Sequence, residues 1–128
     1  MNEPSSGPTD SSARVFPLAA LTRAQMRRVD ELIAAGGAEG PTLGALAAAA
    51  GYSKAQFVRL FRRTTGTSPH RYVLMHRLEE ARRLITTSTL PSPAAAAEAG
   101  FPSQSHLNSA FVRVYGVTPG QARREARR

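Results

Sequence analysis

No cysteine occurs in the chain, so disulfides, thiolate metal sites and cysteine nucleophiles are excluded. Tryptophan is absent too, and aromatic residues make up only 6% of the 128 residues. RNA readers generally stack bases on exposed aromatics, whereas the few here fall mostly on stripes expected to be core. No stretch approaches about 18 consecutive apolar residues, so no transmembrane helix is expected. Residues 1–20 lack a basic start followed by an apolar run, so no secretory leader is visible. Glycine-rich phosphate loops and an H-E-x-x-H pattern are also missing, and His70, His76 and His106 fit no metal spacing. Glu79 and Glu80 are adjacent and cannot face one another as a carboxylate pair; helical spacing pairs them with Arg82 and Arg83 instead. The chain reads as a non-enzyme, with no catalytic residue, no metal and no cofactor.

Acidic residues are scarce beside basic ones, 9 against 17, which leaves a formal charge of +8 and a pI near 11.4. That balance is the footprint of a polyanionic partner. Sixteen of the cations are arginine, whose planar fork of donors suits phosphates and guanine edges. GC-rich coding also yields Arg- and Ala-rich chains, so charge alone does not settle function. Alanine and leucine carry much of the 41% hydrophobic content, which favours helices. No strand pattern with hairpin signals competes.

Met1 to about Ala13 is rich in Pro, Ser, Gly, Thr and Asp and reads as the start of a disordered tail over 1–20. Val15-Phe16-Pro17-Leu18 is apolar enough to pack on a domain edge. From Leu21, Thr22 caps a helix with Met26, Val29, Leu32 and Ile33 on one face, stopped by Gly36-Gly37. Thr42 caps a second, with a stripe of Leu43, Leu46, Ala47 and Ala50, ended by Gly51. Ser53 caps a third, with Phe57, Leu60 and Phe61 inward and Gly66 at its end. Ser68-Pro69 opens a long helix through Leu74, Leu78, Ala81 and Ile85. A break over Thr86–Pro93 precedes a short helix from Ala94 to Ala99. Ser103 caps the next, with Leu107, Ala110, Phe111 and Val114, and Thr118-Pro119 starts a basic terminal helix.

The informative feature is self-similarity. Ser53 and Ser103, Phe61 and Phe111, Gly66 and Gly116, and Pro69 and Pro119 are each 50 residues apart. Gly51-Tyr52 matches Gly100-Phe101 at 49, because Pro102 is inserted. Ala47 and Ala96 sit four residues before their glycines, where a small side chain lets a second helix cross closely. The glycines supply the positive φ of a tight turn. This frame predicts two helix-turn-helix units, whose second helices enter the DNA major groove.

In the first such helix Lys54, Ala55, Gln56, Val58, Arg59, Arg62 and Arg63 face outward or flank. Gln and Arg read adenine and guanine edges bidentately, while Arg62, Arg63 and Arg71 suit phosphates. In the second, Ser103, Gln104, Ser105, His106, Asn108 and Ser109 form a neutral, amide-rich face, with only Arg113 near for phosphate. A non-specific architectural DNA- or RNA-binding protein is the competing reading.

The stretch from about Leu21 to Arg124 resembles the AraC/XylS-type DNA-binding domain, through LGALAAAAGYSKAQFVRLFRRTTGTSPHRYV, RLEEARRLI and AGFPSQSHLNSAFVRVYGVTP. The resemblance implies an all-α fold in which two helix-turn-helix subdomains, residues 21–67 and 89–128, are joined by a linker helix within 68–88. It implies transcriptional regulation by two recognition helices, about 54–65 and 104–115, in successive major grooves of double-stranded DNA. Carried over by position, Ala55, Gln56, Val58, Arg59, Gln104, Ser105, Asn108 and Ser109 contact bases. Lys54, Arg62, Arg63, Arg71, Ser103, His106 and Arg113 contact phosphate. RNA polymerase is the implied protein partner, no membrane is, and the implied location is cytoplasmic and nucleoid-associated. Many such proteins take a small-molecule inducer through a separate domain. None fits in 1–20, so no effector site is expected within this chain, a stand-alone regulator or a fragment. Ser109 stands where the family often carries Arg or Lys, and Ser92 and Ala95 stand where it carries bulky aliphatics. Pro91 and Pro93 also crowd a helix start, so the second unit is expected to be the less stable.

Overall fold

The computed structural model describes residues 20–36 and 40–128. Apart from Ala20, the expected tail lies outside the described residues, as do Val15-Phe16-Pro17-Leu18 and Gly37. Seven α-helices and no strand occur among the described residues: α1 Arg23–Ala35, α2 Leu43–Ala50, α3 Lys54–Thr65, α4 Pro69–Thr87, α5 Ser92–Glu98, α6 Gln104–Tyr115 and α7 Pro119–Ala126. They form two compact units. The first takes α1 as far as Glu31 together with Thr42–His70, and the second takes the rest of α1 from Leu32 and everything from Arg71 onward.

In the first unit α1 opens on a reciprocal cap. The Gln25 amide donates to Thr22 Oγ1 at 3.1 Å and the Thr22 amide donates to Gln25 Oε1 at 2.8 Å. Thr42 caps α2 through the Ala45 amide at 3.0 Å. The turn from α2 to α3 closes around Gly51 at φ 83°, in the left-handed region that a side chain disfavours. There the Tyr52 amide donates to the Ala47 carbonyl at 2.9 Å. Val29, Leu46, Ala47, Ala50, Phe57, Leu60 and Phe61 are buried. The Phe57 and Phe61 rings meet at 5.3 Å between centroids, tilted by 42°. One correction to the sequence reading arises here. Leu43 is 38% exposed, because it is the first residue of an eight-residue helix and overhangs the core that Leu46, Ala47 and Ala50 enter. Tyr52 is only half-buried, so Phe57 and Phe61 dominate the core here.

The second unit repeats the turn. Gly100 lies at φ 93° and the Phe101 amide donates to the Ala96 carbonyl at 2.9 Å. One cluster joins Leu78 and Ala81 of α4, Ala96 and Ala99, Phe101, and Leu107, Ala110 and Phe111 of α6, with Leu74 and Val114 partly buried against it. The expected break was too long, since α4 runs to Thr87 and α5 begins at Ser92 rather than Ala94. The prolines do not crowd that start. Pro91 is the N-cap and Pro93 lies in the first turn, where amide groups have no helical partner to lose.

Phe61→Ala should destabilise the first unit by about 3–5 kcal/mol, the usual cost of truncating a wholly buried phenylalanine. Urea unfolding followed by circular dichroism measures this, and a loss under about 1 kcal/mol would show that Phe61 does not hold the unit together.

Candidate nucleic-acid interface

Each second helix is held by side chains and shows an uncommitted face. On α3, Ser53 Oγ accepts from the Gln56 amide at 3.3 Å, and Gln56 Oε1 accepts from the Ser53 amide at 3.2 Å. Gln56 is therefore part of the helix cap, and a bidentate adenine contact requires its oxygen to leave that cap. At about 100° per residue, Ala55, Val58, Arg59 and Arg62 share one arc roughly 100° wide, opposite buried Phe57, Leu60 and Phe61. Ala55, Arg59 and Arg62 are exposed and Val58 is half-buried. Lys54 and Arg63, both exposed, flank the arc, and Arg71 is exposed in the first turn of α4. No acidic residue occurs in α3.

Two α1 side chains that sequence reasoning missed support this unit. Gln25 Nε2 donates to the Ala50 carbonyl at 2.9 Å, and Arg28 Nε donates to the Ala49 carbonyl at 3.1 Å. Both satisfy orphan acceptors at the end of α2, beside the turn that aims α3. The Leu21 amide donates to Thr64 Oγ1 at 2.8 Å, fastening the chain before α1 to the end of α3.

On α6, Ser103 Oγ accepts from the His106 amide at 3.2 Å and lies 2.7 Å from His106 Nδ1. Both proposed phosphate contacts are thus engaged with one another at the helix start. Gln104, Ser105, Ser109 and Arg113 are exposed, and Asn108 is half-buried. The opposite face is closed by Leu107, Ala110 and Phe111. Val112 is also exposed on this outer side, although the sequence reading left it out. The 50-residue register could have drawn attention to it, because it aligns Val112 with Arg62.

The far end of α6 is anchored to α4. Tyr115 Oη donates to Glu79 Oε1 at 3.0 Å, Arg82 pairs with Glu79 at 2.9 Å, and the Arg82 guanidinium lies 5.9 Å from the Tyr115 ring centre. The Phe111 and Tyr115 rings meet at 4.7 Å. The Arg82 hydrogen bond, followed by that of Tyr115, holds the Glu79 carboxyl below the usual carboxylate range. Glu80 is lowered likewise by Arg83, its partner at 2.6 Å. Burial pushes the Tyr115 phenol up, and its bond to Glu79 adds to that. Arg123 of α7 donates to the carbonyls of Ile85 at 3.0 Å and Ser88 at 3.4 Å, and also to that of Leu90. It thereby caps α4 and the turn before α5.

Two turns of matching geometry, each followed by a helix with a buried apolar face and an exposed polar one, define a tandem helix-turn-helix protein. The comparisons agree. The family model described as a helix-turn-helix domain matches residues 46–125. The chain belongs to this family and is of the AraC/XylS type. It is 38% identical over 86 residues to the RCS-specific HTH-type transcriptional activator RclR of Escherichia coli, covering 67% of this chain and 30% of that protein. It is also similar to the DNA-binding domain of AdpA, a global transcriptional factor solved in complex with a target DNA. That similarity has a TM-score of 0.75 and 29% identity, over 83% of this chain and 95% of that one. An AraC-type transcriptional regulator from Chromobacterium violaceum matches with a TM-score of 0.73 and 27% identity, over 80% and 91% of the two chains. The chain spans about three tenths of the length of the curated relatives it matches.

Because Glu79 and Glu80 titrate lower folded than unfolded, their stabilisation is complete above the usual carboxylate range and is lost as pH falls through the folded values. The pairs are exposed, so the loss should stay under about 1 kcal/mol each. Tyr115→Phe should leave the onset of this loss at the usual carboxylate range, bring its completion to higher pH and reduce its size, as read by denaturant unfolding across the acid range. Superimposable profiles for the two proteins would remove Tyr115 from the account.

Proposed function

We propose that the chain is a sequence-specific double-stranded DNA-binding transcriptional regulator that inserts α3 and α6 into successive major grooves. The observation that carries this reading is the duplicated wedge, a glycine-closed turn that commits one face of each second helix to the core and leaves the other unoccupied. The DNA-bound AdpA domain, similar along most of its length, supports it.

In this reading the base contacts come from Ala55, Gln56, Val58 and Arg59 in the first unit. In the second they come from Gln104, Ser105, Asn108 and Ser109. Arg59 reads a guanine edge through its planar donors. Lys54, Arg62, Arg63, Arg71 and Arg113 grip phosphate, which fixes register without carrying sequence information. Ser103 and His106 join them once their mutual bond opens toward the backbone. The charge is uneven. The first recognition helix carries four cations and the second carries one, so the first supplies most of the salt-sensitive hold and the second reads neutral edges. Regulation works through contact with RNA polymerase, and the protein acts on the nucleoid in the cytoplasm. The two units are assigned DNA alone, with no small-molecule effector.

Titration at fixed salt against selected and scrambled duplexes tests the reading, and equal affinities would leave only a non-specific binder. Arg59→Ala should cost about 1–3 kcal/mol on the selected site and relax preference at one position. Arg63→Ala should weaken selected and scrambled duplexes alike and lower the salt slope by about 1. If the two variants behaved identically, the division into base and phosphate contacts would be wrong.

A further inference from the structure

The outer face of α6 contains one residue that neither the core nor a polar contact explains. Val112 is 43% exposed, more than any other large hydrophobic residue among the described residues. Isolated apolar residues on a surface are ordinary, but the position of this one is not. With about 100° between successive residues, Asn108 and Ser109 bound an arc roughly 100° wide that also holds Ser105. Val112 falls inside that arc, about 20° from the line of Ser105 and roughly 10.5 Å further along the axis. Leu107, Ala110 and Phe111 take the opposite side into the core. Val112 therefore lies in the middle of the proposed reading face, pointing where the groove floor would be.

The repeat sharpens the point. Arg62 holds the equivalent place on α3, 50 residues earlier. At one position, the first unit sets a cation long enough to reach past the groove floor to phosphate, and the second sets two methyl groups that end at the floor. A charged phosphate offers those methyls nothing. The floor of the major groove offers one apolar feature, the C5 methyl of thymine.

We propose that Val112 is a specificity-determining residue that packs on a thymine methyl in the half-site read by α6. This rests on the DNA-binding reading above. It adds to the polar set of Gln104, Ser105, Asn108 and Ser109 a contact that selects thymine through its methyl. Cytosine lacks that methyl, so the position discriminates between the two pyrimidines without a hydrogen bond.

The test uses the full 128-residue chain to select binding sites from a random duplex pool. Each thymine of the half-site assigned to α6 is then replaced by deoxyuridine, which removes only the methyl. One replacement should weaken wild-type binding about fourfold, the effect of one buried methyl group. Val112→Ser should bind both duplexes equally, while Val112→Thr, which keeps one methyl, should retain part of the difference. Both changes are on the surface, so thermal melts should match wild type. The inference is overturned if wild type ignores every replacement while still preferring selected over scrambled duplex. It is equally overturned if Val112→Ser keeps the full penalty, or if the selected half-site fixes no thymine. Absence of any preference for selected duplex would overturn the DNA-binding reading itself, and this inference with it.

Discussion

Two backbone hydrogen bonds carry the design, Tyr52 to Ala47 and Phe101 to Ala96, each 2.9 Å and each spanning a glycine with positive φ. An α-helix ends with carbonyls that have no internal partner. These bonds satisfy one such carbonyl each and reverse the chain within three residues in the first unit and five in the second. The next helix then starts at a fixed angle, over an alanine small enough to permit close crossing. Every later feature inherits that angle. The phenylalanines of the next helix reach the core only because that helix leaves the turn correctly aimed, and the polar arcs point outward for the same reason.

Side chains from other helices reinforce the turns, and the two units solve this differently. In the first, Gln25 and Arg28 reach from α1 to the last carbonyls of α2. In the second, Tyr115 and Arg123 fasten α6 and α7 to α4. Partly buried backbone acceptors are costly to leave unpaired, so these long polar side chains act on geometry more than on charge. Two of the sixteen arginines, Arg28 and Arg123, are engaged with backbone carbonyls in this way, and two more are paired with Glu79 and Glu80. Net charge therefore overstates how many cations stand ready for a polyanion.

Much of the fold was legible because helix ends are written in local chemistry. Ser53, Thr42 and Thr118 cap as their residue types dictate, Gly51, Gly66 and Gly116 close helices in the left-handed region, and Phe57, Leu60 and Phe61 keep helical spacing. The short helix was misjudged at its start, because prolines read as obstacles although a first helical turn accepts them. Leu43 was misjudged because periodicity ignores where a neighbour ends. The capping role of Gln56 could have been read from its place three residues after Ser53. The roles of Gln25, Arg28 and Arg123 could not. Each donates to a carbonyl more than twenty residues away, and nothing in its neighbourhood distinguishes it from a solvated cation or amide. The exposed arc of α6 was legible for its amides, while Val112 passed as one more apolar residue until burial separated it from Phe111.

The Arg123 contacts bear on how the protein is made. Its guanidinium gathers carbonyls from Ile85, Ser88 and Leu90, so the start of α5 is steadied by a residue more than thirty positions later. On the ribosome, the first unit has all its own segments once His70 has emerged and can fold while translation continues. The second has no such freedom. Its helix α4 leaves the exit tunnel without the guanidinium that gathers the Ile85, Ser88 and Leu90 carbonyls, and it stays so until Arg123 is translated.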